Sequence, residues 1–404
     1  MFCGIKVFIT NKIMLIKFFS FLKNNLFFLI IFSWIIIPFF AYNFLIRILA
    51  VFSLIILIIK YFHKGDKKIF LFTLFFIIIT FIINYIASDT AYQIRHLQLY
   101  IFLMLIYFST IVVNLANTKK KNIVFIVLLF NLIALIGSYF GLLADGHAAR
   151  ALSKSGEGAL ELTEQGVGGY GTIYSNVVLI PVLFYLKSKT ISPLLKKIIW
   201  LNIILAIIII IKANYLIAVL LVFFQLITYL FIKLKGFMKL VLSVAVLLAM
   251  LLIHSNIDYV ENVTGKLVVG TTYAIKHQDF FSQINGQESE FGSVSARTER
   301  YQRSFKMIFI NPITGVLSYN DIGKHSNLLD FFAQYGFLFF FLFINLLIKL
   351  PLQIMKKEKE KTYLIIFIIS LLLLGLFNNY PLHIGVAYVL LASSFGLGLK
   401  KINV

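Results

Sequence analysis

The residues of this chain with most to offer chemically are its arginines and one histidine. In the stretch ARTERYQRSFKMIFI, residues 296–310, Arg297, Arg300, Arg303 and Lys306 recur at every third position. On a helix each such step turns the side chain about 60° backwards, so neighbours share a face and the four form an oblique basic stripe. A guanidinium is a planar fork that grips phosphate with two hydrogen bonds, whereas a lysine ammonium is a point charge. Tyr301, Phe305 and Ile308 fall at i, i+4 and i+7 and predict an apolar stripe on the same helix. Ser295 reads as its cap and Asn311-Pro312 as its stop. Two readings stay open: a cradle for a substrate phosphate, or an interfacial helix whose bases rest on lipid phosphates.

Beyond Gly315 the chain runs IGKHSNLLDFFAQYGFLFFFLF, which reads as the start of a membrane helix. Ser326 or Asn327 is the expected N-cap, with Asp330 in the first turn. His325 then stands at a helix N-terminus, whose positive dipole end disfavours imidazolium. A histidine kept neutral there can accept a proton. Arg95, Arg150 and Lys212 are further cations expected on the same side as the arginine helix. Metal chemistry is not indicated. No two histidines have metal-ligand spacing, there is no D-x-D pair, and Glu288-Ser289-Glu290 reads as a solvated acidic loop. The single cysteine, Cys3, excludes thiolate clusters and disulfide scaffolds. No metal or cofactor is expected.

The elements that must position these groups are legible from composition. The chain has 404 residues, of which 60% are hydrophobic and 13% charged, and its mean hydropathy is +0.95. A soluble domain carries about 45–50% apolar and about 25% charged residues. The apolar runs are long and do not alternate, so the expectation is an all-α polytopic membrane protein. Apolar stretches predict about twelve spans, near 25–42, 44–60, 69–86, 98–115, 123–143, 172–187, 198–211, 214–232, 240–254, 331–349, 362–377 and 382–399. The organisation follows: 1–254 holds spans one to nine with an outer loop at 144–171, 255–330 is a large outer loop, and 331–404 holds the last three spans. No small-residue cleavage site follows the first apolar run, so no cleavable signal is expected.

Basic residues orient these spans. With both termini placed in the cytoplasm, the inner segments carry 25 lysines and three acids, and the outer ones 12 bases and 13 acids. All six arginines (Arg47, Arg95, Arg150, Arg297, Arg300 and Arg303) fall on the outer side. The net charge of +21 is then a topology signal and a contact for anionic membrane lipids, with no nucleic-acid partner implied. The spans are nearly free of charge, which speaks against an ion-coupled transporter.

With these residues in place, SARTERYQRSFKMIFINPITG followed by HSNLLDFFAQYGFLFFFLF resembles the O-antigen polymerase (Wzy-type) and O-antigen ligase superfamily. The matching positions are Ser295-Ala296-Arg297, Asn311-Pro312 with Gly315, and His325; GGYGTIYSNVVLIPVLFYL is similar to the family's span after the earlier outer loop. Two departures stand out. The family often has a serine-arginine pair where this chain has Lys212-Ala213-Asn214, and the spacing from Arg303 to Gly315 is one residue longer than an arginine–glycine pattern of some polymerases. The resemblance implies a metal-independent glycosyltransferase at the outer face of the bacterial inner membrane. It would move a glycan chain from undecaprenyl diphosphate onto a lipid-linked repeat unit. Its partners would be the undecaprenyl-diphosphate-linked oligosaccharide and a chain-length regulator protein. It further implies His325, Arg297 and Arg300 as catalytic groups, with Arg303, Arg95, Arg150 and Lys212 binding substrate. A ligase that transfers the finished chain to lipid A core is the alternative. A lipid-linked oligosaccharide flippase would have short outer loops and charges inside its spans, unlike this chain.

Overall fold

The computed structural model describes residues 2–41, 43–86, 90–146, 148–152, 157–190, 192–213, 215–269, 274, 277–278, 281–282, 293–318, 320–358 and 361–397. The described residues form helices and short connections, consistent with an all-α membrane protein. In chain order the helices are α1 (Phe2–Ile36), α2 (Pro38–Ala41), α3 (Phe44–Tyr61), α4 (Lys67–Ile86), α5 (Thr90–Val113), α6 (Asn117–Ala144), α7 (Ala148–Ala151), α8 (Glu157–Glu164) and α9 (Tyr170–Lys189). They continue with α10 (Pro193–Lys212), α11 (Leu216–Lys233), α12 (Phe237–Ser255), α13 (Ile257–Val268), α14 (Ser293–Ile310), α15 (Asn327–Lys357), α16 (Lys361–Phe377) and α17 (Ile384–Ser394).

Among the described residues six helices are long and apolar enough to cross a membrane, as Phe19–Ile36, Phe44–Lys64, Asn117–Ala144, Pro193–Lys212, Leu216–Lys233 and Asn327–Lys357. The two apolar runs around Lys212 are separate helices, because the chain turns between α10 and α11 and buries Ala213 and Tyr215 there. The stretch expected at 382–399 differs from expectation. Its helix α17 has 11 residues, all of them buried. At about 1.5 Å per residue it is too short to cross a bilayer core alone. It forms the centre of the bundle, wrapped by α5, α9 and α6.

Several amide side chains inside this apolar bundle are matched to polar partners on neighbouring helices. Asn131 on α6 donates to Asn176 on α9 (3.1 Å) and to Asn202 on α10 (3.0 Å). Gln225 on α11 bridges the Val177 carbonyl (2.8 Å) and Ser370 on α16 (2.9 Å). Such pairing is what a buried amide needs, since an unpaired one is costly to bury. The bundle has a lysine-rich end and an arginine-rich end. At the lysine end Lys189 pairs with Glu358 at 2.5 Å, and Lys120 is buried and donates to the Phe395 carbonyl beyond the end of α17 at 3.0 Å.

The arginine helix α14 is held by a break in α15. Gly336 has φ 74° and ψ −176°, which interrupts the helix. The Asn311–Gly315 turn fills the break: Phe337 N–H donates to the Pro312 carbonyl (2.8 Å), while Val316 and Leu317 N–H donate to Ala333 (2.9 Å) and Gln334 (3.0 Å). The backbone groups freed by the break are thereby satisfied within protein, as membrane proteins require. A Cβ on Gly336 would lie 2.1 Å from the Ile313 carbonyl, and one on Gly315 (φ 71°) 2.2 Å from that of Gln334. Both positions demand glycine on conformation and on space.

Candidate functional site

The sequence places Arg297, Arg300 and Arg303 on one helix, and α14 confirms the helix with two corrections. It already includes Ser293, so Ser295 lies within the helix and is not the cap. The inward stripe is half-buried Tyr301 with buried Ser304 and Ile308, whereas Phe305 is 55% exposed and stacks edge-on with exposed Phe309 at 5.0 Å. Ser304 displaces Phe305 from the buried face because its hydroxyl ties α14 to α15. It donates to Asp330 Oδ1 at 2.5 Å and accepts from Gly323 N–H at 2.8 Å. The backward rotation of the three-residue spacing then sorts the arginines. Arg297 is half-buried against the bundle, and Arg300 and Arg303 are exposed. Arg303 pairs with Glu299 one turn earlier at 3.2 Å. Arg300, Arg303, Glu299 and Lys324 border an open groove of about 470 Å³.

Ser326 is the N-cap of α15, its hydroxyl accepting from Leu329 N–H at 3.2 Å. Asp330 completes the cap by accepting from Ser326 N–H at 2.9 Å and drawing the backbone N–H groups of His325 and Lys324. Lys324 adopts φ 63° to allow this, an uncommon conformation for a side-chain-bearing residue. The result fixes His325 beside α14, with its ring 6.0 Å from that of Tyr301 and its Nε2 buried without a hydrogen-bond partner. Burial pushes the His325 pKa down to about 4, and the charges of Arg297 and Arg300 push the same way. The imidazole is therefore neutral at pH 7 as the sequence suggests, but burial and two guanidinium groups are the main causes.

The opposite wall comes from distant parts of the chain. Tyr170 and Tyr174 on the first turns of α9 stack at 4.6 Å, and Tyr215 closes on Tyr174 at 5.7 Å. The Arg297 charge acts on Tyr170, Tyr174 and Tyr301 as well as on His325. The connection from α16 to α17 ties these walls together. Tyr301 donates to the Phe377 carbonyl (2.8 Å) and Tyr170 to that of Asn379 (2.7 Å). Burial raises the Tyr301 pKa, so its hydroxyl stays a hydrogen-bond donor at neutral pH. Tyr301 falls on the expected apolar stripe, but Tyr170, Tyr174 and Tyr215 do not stand out in the sequence. GGYG reads as a flexible helix entry.

The structure thus brings Arg297, Arg300, His325 and Tyr301 together, with Arg303 one turn away. Lys212 does not join them; it is exposed, with its ammonium 5.8 Å from the Tyr139 ring. Arg95 lies on α5 and Arg150 on α7, and their side chains are outside the described residues. The Ala149 carbonyl next to Arg150 receives the Tyr215 hydroxyl at 2.7 Å, which puts the α7 backbone against the tyrosine cluster. Glu288, Ser289 and Glu290 are also outside the described residues.

Among the described residues the ion pairs are Lys189–Glu358 and Arg303–Glu299. Arg297 and Arg300 have no carboxylate at ion-pair distance within that set. A half-buried guanidinium without a counter-charge, next to a neutral imidazole, is suited to holding an anion and receiving a proton beside it. The chain matches no protein-family model and no curated protein.

Proposed function

We propose that this chain is a polysaccharide repeat-unit polymerase of the O-antigen type, with about twelve membrane-embedded segments and both termini in the cytoplasm. Its donor is a glycan on undecaprenyl diphosphate, and its acceptor is a second lipid-linked repeat unit at the outer face of the plasma membrane. The observation that carries the reading is the half-buried Arg297, free of any carboxylate among the described residues and facing His325 and three tyrosines.

In the reaction an acceptor hydroxyl oxygen attacks the donor's anomeric carbon. The bond from that carbon to the diphosphate oxygen breaks, and its electron pair leaves with the lipid diphosphate. Arg297 and Arg300 hold that developing charge, and Arg303 assists only weakly from the groove because it is paired with Glu299. Preorganised donors of this kind are worth about 10²–10³ in rate each. The proton of the attacking hydroxyl goes to His325 Nε2. At a pKa of about 4 the free site is a weak base. A bound diphosphate offsets the two arginine charges that depress it, so His325 gains basicity when the donor is in place. The half-buried aromatic wall keeps water from competing with the acceptor.

The reading is tested by deleting the gene and analysing surface glycan on gels. Glycan capped with a single repeat unit supports a polymerase. Long chains retained on the lipid carrier would indicate a ligase, and repeat units stranded on the inner leaflet a flippase. A normal ladder would reject all three.

A further inference from the structure

The two legs of α15 do not share an axis. Across the break at Gly336, Phe331 stacks on Phe343 at 4.4 Å and Phe332 on Phe340 at 4.8 Å. In an unbroken helix, residues 331 and 343 would be about 18 Å apart along the axis. The first leg, 327–335, therefore folds aside. Its far end is pinned to the end of α16, where Ser326 Oγ donates to the Gly375 carbonyl at 3.1 Å and Asn327 N–H to that of Asn378 at 3.3 Å. Helix lengths then fix its level. From the lysine end, residues 337–357 rise about 30 Å and α16 about 25 Å, close to the thickness of a bilayer core. The first leg bridges the far ends of both and so lies at the membrane boundary. The Ser304–Asp330 bond and the 311–315 turn strap α14 along it at the same level.

At that level α14 presents two unlike surfaces. Phe305 and Phe309 lie about a quarter turn around from the inward stripe, while Glu299, Arg303 and Lys306 point outward. Exposed Ile310 and Ile313 extend the apolar flank; Phe309 is 70% and Ile313 76% exposed. The flank is continuous with the membrane-crossing surface. Ile313 stands in the turn whose Pro312 carbonyl takes the Phe337 N–H, and Phe337, Leu338 and Phe341 are exposed on the second leg. Large apolar side chains running from a membrane span onto a basic helix are the pattern of a helix lying in the interface.

We infer that the Phe305–Phe309 flank of α14, with Ile310 and Ile313, is docked in the lipid leaflet at the arginine end, with Arg303 and Lys306 against the phosphates of anionic lipid headgroups. Of α15, only 337–357 then crosses the membrane, and the docked helix sets Arg297 and His325 at headgroup depth. The inference stands on geometry alone and does not depend on the transferase reading.

Lipid contact is measurable by quenching in the full-length protein. Cys3, the single cysteine, is replaced by serine. Phe309→Cys, Ile313→Cys, Leu338→Cys on the crossing leg and Glu299→Cys on the outward side are made separately. Each carries the fluorophore NBD and is reconstituted in phosphatidylcholine–phosphatidylglycerol vesicles with ordinary or brominated acyl chains, with Tm checked for each protein. Phe309→Cys and Ile313→Cys lose emission in brominated vesicles to the same extent as Leu338→Cys, while Glu299→Cys keeps its emission and is quenched by aqueous iodide. Either flank position suffices if the other lowers Tm. Bromine confined to phosphatidylglycerol quenches Phe309→Cys more than the same fraction of brominated phosphatidylcholine, and high salt or Lys306→Gln reduces the difference. Quenching of the flank by iodide and not by bromine overturns the docking. Insensitivity to both, with disulfide formation between unlabelled Phe309→Cys chains, overturns it in favour of a second copy covering the flank. Equal quenching by the two brominated lipids overturns the assignment of anionic headgroups to Arg303 and Lys306.

Discussion

The two ends of the bundle use positive charge differently. At the lysine end several cations are committed: Lys189 to Glu358, Lys120 to the Phe395 carbonyl, Lys119 to the Tyr61 hydroxyl, and Lys187 over the Trp200 ring at 3.9 Å. At the arginine end Arg303 is paired, but Arg297 is half-buried with no carboxylate among the described residues, and it depresses the pKa of His325. A structural cation is one whose partner belongs to the fold. A cation that raises the energy of its neighbours without such a partner is stabilised once an anion arrives. The difference separates charge that holds helices together from charge that has no carboxylate partner among the described residues.

Substitutions can break or sharpen that contrast. The largest effect belongs to Arg297→Ala, which lowers transfer about 10²–10³-fold without reducing the amount of protein. His325→Ala follows, with a loss of about 10²-fold, the low end for a general base, because this imidazole is a weak one. Its pH dependence has a definite sign. In the free enzyme kcat/KM holds from neutral pH downwards and falls as His325 protonates near pH 4. Arg300→Gln removes one positive neighbour, so protonation becomes easier and the falling limb moves to higher pH. A limb that stays in place would show that Arg300 does not act on His325.

The next effects are on stability. Gly336→Ala forces a left-handed φ and a clash with the Ile313 carbonyl, and strained φ alone costs about 1–3 kcal/mol. It should reduce accumulation and the detergent-solubilised Tm. Lys189→Met at the opposite end should also lower Tm, because it leaves Glu358 without its partner, while the surviving protein transfers at the original rate. A Lys189→Met protein with normal Tm and lost transfer would erase the distinction between the ends. Arg303→Ala should be mildest, since an exposed ion pair contributes about 0–1 kcal/mol.

Much of the site was readable from local signals and the rest was not. Ser326 as cap, Asn311-Pro312 as stop and the helix between 296 and 310 follow from short-range chemistry, and the structure agrees with each. Ser295 failed as a cap because the helix already includes Ser293, and Phe305 failed as a core residue because Ser304 anchors the helix to Asp330. The break at Gly336 left a trace, a lone glycine inside an apolar helical run, which marks a special backbone position more often than a neutral one. The tyrosine wall left none, since Tyr170 and Tyr174 meet Tyr301 and the 377–379 turn only through long-range packing. Span counting from hydropathy also cannot tell a lipid-facing helix from α17, which is equally apolar but enclosed by protein.

The most direct measurement compares purified Arg297→Ala and Arg303→Ala proteins, reconstituted in the same membranes, for transfer from a lipid-diphosphate-linked repeat unit. The account predicts that the first is slower by at least about 10²-fold and the second stays close to the unsubstituted rate. Equal rates for the two, at equal Tm, would contradict it.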